Sequence, residues 1–230
     1  MSTTQLHSGQ RTDAFARSFF SILDAAYDGV RGVSSEIQNR GLLPAVTESW
    51  FRMQYGVIQA TTPLLRFAVD ALDRRPSDAF SETLRAFYAE KLEDEAGHEK
   101  LLLADCERLG ISEKSLVDEL TPSPITALVG SQYYVLAYHH PAVHLGYIGL
   151  LEGYAPSVDD ARKLAKASGA PEEAFSTLHL HAEVDLDHRR SLEAILDAVP
   201  DDPALRRAIV ANGLRSAEFY CQALEGLLEE

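Results

Sequence analysis

The run from His181 to His188, H-A-E-V-D-L-D-H, sets three ionisable side chains inside an apolar helical stripe. His181, Asp185 and His188 are spaced by four and then three residues, the steps that return side chains to one face of an α-helix. The stripe continues through Phe175 and Leu178 on one side and Leu192 and Ile195 on the other. An apolar stripe faces the interior of a fold. Such a segment needs a packed bundle that supplies partners for two imidazoles and a carboxylate, because unpaired buried charge is too costly to keep. A buried salt-bridge network and a metal ion both meet that need. Imidazole with carboxylate is the donor set of a transition metal.

The remaining sequence also reads as helix. Periodicity and caps give seven segments, near 12–38, 43–74, 78–110, 124–154, 157–168, 171–198 and 203–229. Ser123-Pro124 and Asp202-Pro203 read as N-cap plus proline at the first helical position. Ser157-x-x-Asp160 resembles a capping box, Gly110 reads as a stop, and Pro141 is expected to break segment 124–154. No alternating strand pattern of useful length occurs. These features predict an all-α, single-domain bundle of about seven helices over 12–230, preceded by a flexible N-terminus at 1–11. The last helix, Leu205 to Leu228, is apolar enough for core or for a homodimer surface.

Composition narrows the partners. With 46% hydrophobic residues the chain can bury a sizeable core, and a net charge of -14 lacks the basic patches that nucleic acid or an anionic membrane requires. Neither is therefore expected as a partner. The two cysteines, Cys106 and Cys221, form no CxxC motif and read as structural thiols in a reducing cytoplasm. The first residues lack the apolar core of a signal peptide, and no apolar run approaches the ~20 residues of a membrane span.

Two further segments repeat the anomaly. The stripe Leu84, Tyr88, Lys91, Glu95, His98, Leu102 contains a Glu-x-x-His pair, a known way to build a dimetal carboxylate site on a bundle helix. By itself the pair also fits a solvated face, since Glu93, Asp94, Glu99 and Lys100 surround it. Glu152 shares a stripe with Leu145 and Ile148 and fits either a wet helix end or an interior ligand. Glu95, His98, Glu152, His181, Asp185 and His188 together give three imidazoles and three carboxylates. Two metal ions can share six such ligands. The set suits iron or manganese without excluding zinc, and two Fe(II) ions would leave positions for O2 as co-substrate.

In chain order these motifs resemble the haem-oxygenase-like diiron oxidases and oxygenases. The likeness spans roughly residues 12–228 in helix pattern, and its specificity rests on the six positions. It implies that Glu95, His98, Glu152, His181, Asp185 and His188 are iron ligands. It also implies an O2-dependent enzyme acting on a small amino-acid-like or carboxylate substrate by desaturation, C–C cleavage or N-oxygenation. One departure is Lys91, which stands where some members carry the first carboxylate. Lys91, Tyr134, Tyr138 and His144 are candidate substrate-binding residues. The same fold leaves two alternatives open: a thiaminase-II-like or cofactorless oxidase without diiron, and a non-catalytic metal-binding bundle.

Overall fold

A computed structural model describes residues 14–41, 44–154 and 156–229, with the side chains of 44 and 183–187 left outside the description. Its α-helices are α1 Phe15–Arg40, α2 Pro44–Asp73, α3 Ala79–Asp94, α4 His98–Arg108, α5 Glu113–Asp118, α6 Ser123–Tyr138, α7 Leu145–Gly153, α8 Val158–Ser168, α9 Ser176–Asp197 and α10 Pro203–Gly226. Single 3₁₀ turns, Pro141–His144 and Glu172–Phe175, lead into α7 and α9. Among the described residues there is no strand, so the expected all-α class holds.

Among the described residues the helices number ten, rather than about seven, because two of the sequence segments divide and a short helix is added. Segment 78–110 breaks between α3 and α4 at Gly97, whose φ of 96° belongs to the left-handed region that glycine occupies without strain. Segment 124–154 breaks at Pro141, where the ring cannot continue the helical hydrogen bonds. Ser112 caps the added α5 by accepting from Ser115 N–H at 3.1 Å. The Ser157–Asp160 capping box and the Asp202 cap form as their sequences require. Ser123 instead falls inside α6, whose N-cap is Pro122.

The core is one apolar cluster, with Phe19, Phe51, Tyr88, Tyr147 and Phe175 nearly sealed from solvent. α10 packs against α1, α6 and α7, so the C-terminal helix is a core helix. α9 lies against α3 and α4 on one side and α7 on another, with α1 and α8 also in contact. That arrangement brings the histidine-bearing stripe of α9 to the Glu-x-x-His segment and to Glu152.

Candidate metal centre

Glu95 and His98 sit at a helix junction. Glu95 is the C-cap of α3 and donates its backbone N–H to the Lys91 carbonyl at 3.0 Å. Gly97 then turns the chain, and His98 opens α4. The two side chains still meet, with His98 Nδ1 2.9 Å from Glu95 Oε2. A carboxylate can only accept, so Nδ1 carries the hydrogen.

α9 supplies the facing donors. His181 Nδ1 lies 2.8 Å from the Thr177 carbonyl oxygen, which again makes Nδ1 the donor and leaves Nε2 with its lone pair. The His98 and His181 rings stand edge to face at 5.0 Å. Donor atoms of Glu95, His98 and His181 all lie within 4.8 Å of one another, and so do those of Glu95, Glu152 and His188. Glu95 belongs to both groups. His188 Nε2 is also 3.8 Å from Asp94 Oδ2, a carboxylate that the sequence stripe does not single out. Asp185 lies outside the described side chains.

The two carboxylates differ in character. Burial alone would raise the Glu95 carboxyl, but the His98 hydrogen bond and the nearby imidazoles His98, His181 and His188 outweigh it and hold it below its ordinary range. Burial dominates at Glu152 and pushes it up to about 7, against the opposing pull of Lys91 and His188. Lys91 is only 2% exposed, and its Nζ stands 3.1 Å from Glu152 Oε2. Lys91 is therefore the buried ion-pair partner of a candidate ligand.

A cavity of about 600 Å³ adjoins the centre. Glu95, Glu152 and His181 line it, with Trp50, Phe51 and Leu178 among its apolar walls and Arg31, Gln38 and Gln54 among its polar ones. His144 lines it too, buried and stacked on Tyr147. Tyr134 and Tyr138 do not. They are 59% and 74% exposed and pack their rings on each other at the surface, so the structure separates them from the cavity. They fall on the outer face of α6, while Gln132 of the same helix points inward. Spacing along the aromatic run does not reveal that rotation.

The donor set fits a pair of divalent cations in composition. It offers imidazole nitrogens and carboxylate oxygens without thiolate, drawn from the α3–α4 junction, α7 and α9, with one carboxylate common to both groups. Sequence reasoning missed Asp105, which is fully buried on α4 and accepts hydrogen bonds from Thr177 at the start of α9. A charged residue beside buried Leu102 and Cys106 was the available signal.

Fold and centre together define a haem-oxygenase-like helical bundle carrying a carboxylate–imidazole donor set. Residues 48–220 match the family described as iron-containing redox enzymes, and the chain belongs to that family. Three solved structures share the fold. A domain of unknown function with a haem-oxygenase-like fold from Shewanella denitrificans is 16% identical, with a TM-score of 0.75 over 94% of this chain and 89% of that one. A TenA homologue from Pseudomonas syringae is 15% identical, with a TM-score of 0.76 over 100% and 99%. A TenA homologue from Pyrococcus furiosus is 12% identical, with a TM-score of 0.64 over 90% and 99%. No curated protein matches the sequence. Among the described residues no helix is long and apolar enough to cross a membrane.

Proposed function

We propose that this chain is an iron-dependent oxidoreductase that uses O2 to oxidise a small carboxylate or amino-acid-like substrate held in the cavity. The observation that carries this reading is the place of Glu95, which is common to two donor groups and lines a cavity large enough for such a molecule. Glu95, His98 and His181 would hold one Fe(II). Glu95, Glu152 and His188 would hold a second, with Asp185 added by its helical spacing from His181 and His188. Bound ferrous iron would supply the electrons for reduction of O2.

The protein's own part is positional. Thr177 fixes the His181 ring through Nδ1 and so presents Nε2 as donor. The apolar walls from Trp50, Phe51 and Leu178 exclude water from the reacting region and orient the substrate. The fold shared with the TenA homologues keeps the thiaminase-II-like alternative, an enzyme with a cysteine nucleophile, as the competing reading. Cys106 does not favour it, because burial pushes its thiol up to about 12 and no basic group lowers it.

Anaerobic loading with ferrous iron, followed by a metal count and O2 uptake with amino acids and short carboxylates, tests the proposal. About two irons per chain are expected, falling to one or none in Asp185→Ala, with O2 uptake stimulated by substrate. Metal-free protein after loading, or uptake that no substrate alters, overturns the reading.

A further inference from the structure

Lys91 forms an ion pair with the candidate ligand Glu152, and the iron reading gives that lysine no role. Lys91 lies on the last turn of α3, one turn before Glu95, and its side chain is 3% exposed. Glu152, near the end of α7, is 13% exposed. Nζ reaches Oε2 at 3.1 Å, and among the described residues no hydrogen bond satisfies the ammonium elsewhere. Glu152 is thus both the ion-pair partner of Lys91 and a donor in the second candidate group. It cannot serve both cations fully. An ammonium that close to a ligand oxygen repels an arriving divalent ion, and the repulsion is strong where water is excluded. At Glu95 the neighbouring cationic groups are the imidazoles of His98, His181 and His188 rather than a lysine.

Resting on the iron reading, we propose that Lys91 is an internal counter-cation that makes the centre fill in order. The first ion takes the Glu95, His98 and His181 group. The second ion enters the Glu95, Glu152 and His188 group only when Glu152 leaves Lys91. The ion pair holds the Glu152 side chain in place beside Lys91, and it weakens the second position relative to the first. No bond is made or broken beyond the exchange of one ionic partner for another.

Equilibrium dialysis of the full chain against Fe(II) or Co(II) without oxygen reads both steps as binding, independent of turnover. Wild type is expected to bind a first ion at least about tenfold more tightly than a second. Lys91→Met should close that gap by tightening the second step alone, and Lys91→Arg should keep it. Glu152→Gln should lose the second step and retain the first. Should Lys91→Met fail to fold by circular dichroism, Lys91→Gln makes the same test with a polar, uncharged side chain. Two equal steps in wild type, or an unchanged gap in the neutral variants, overturn the role of Lys91 while leaving the iron reading intact. A chain that binds neither metal overturns both.

Discussion

Asp105 of α4 reaches across to the start of α9 and accepts from the Thr177 backbone N–H at 2.8 Å and its hydroxyl at 2.7 Å. It also accepts from Ser176 Oγ at 2.5 Å and from Arg108 at 2.6 Å. The residue before α9 is Phe175, which has no side-chain acceptor, so a carboxylate from another helix caps α9. The Thr177 carbonyl in turn receives His181 Nδ1–H. Asp105 therefore fixes the helix turn that orients a candidate ligand. Asp105→Ala should cost about 2–4 kcal/mol, because the Ser176 and Thr177 donors lose their acceptor in a buried site. The first metal-binding step should weaken by about tenfold. Urea unfolding and dialysis check the two effects separately; lost stability with unchanged affinity would confine Asp105 to a structural role.

His144 gives the fold a pH dependence of known sign. It is 1% exposed, and burial lowers its pKa from 6.5 to about 3. Gln132 Oε1 takes a hydrogen bond from Asn212 Nδ2 at 2.9 Å and lies 3.1 Å from His144 Nδ1. That amide oxygen can only accept, so Nδ1 carries a hydrogen, and burial keeps the imidazole neutral. In the unfolded chain the same group takes a proton near pH 6.5. Its contribution is fully present above that pH and is lost as pH falls from 6.5 toward 3, about 2 kcal/mol of it by pH 5. Urea unfolding of wild type and His144→Gln at pH 7 and pH 5 should show the difference between them shifting by that amount in favour of the variant at pH 5. A difference independent of pH would show that His144 titrates normally in the fold.

Tyr134 and Tyr138 serve as the contrast. Their rings pair at 4.8 Å on the exposed side of α6, outside the residues that line the cavity. Tyr134→Ala and Tyr138→Ala should change stability by about 0.5 kcal/mol or less and leave metal binding unaltered. Weakened metal binding in either variant would place them closer to the centre than their exposure indicates.

What the sequence discloses, and what it hides, follows from the range of each interaction. The α9 stripe is legible because spacings of three and four are local to one helix, and the caps at Ser157 and Asp202 are legible for the same reason. The break at Gly97 was marked by the glycine itself, yet the continuous apolar stripe from Leu84 to Leu102 outweighs one residue in a periodicity argument. Pairings between helices leave little trace in the sequence. Nothing local to Lys91 announces Glu152, and nothing local to Asp105 announces Thr177. The same limit applies to the cavity, whose walls come from α1, α2, α7, α8, α9 and α10 as well as the α3–α4 segment.

The crossing of α7 and α10 offers a test of the packing that positions Glu152. A Cβ on Gly146 would run into the Ile209 carbonyl oxygen and fall 2.6 Å from the Gly213 nitrogen, both rigid backbone atoms of α10. The helices approach closely there because Gly146 and Gly213 bring no side chain between them. Gly146→Ala must push them apart and should destabilise the fold by about 3 kcal/mol. It should also loosen the placement of Glu152 two turns along α7. Gly213→Ala meets Gly146 oxygen at 3.2 Å and the Phe19 ring at 3.3 Å, a milder overlap that should cost less. Gly130 is exposed in α6 with open space around its Cβ position, so Gly130→Ala should stabilise the protein by about 0.5–1 kcal/mol through helix propensity. Thermal unfolding of the three variants should rank them Gly130→Ala above wild type, then Gly213→Ala, then Gly146→Ala. A Gly146→Ala protein as stable as wild type would mean that α7 and α10 do not approach this closely.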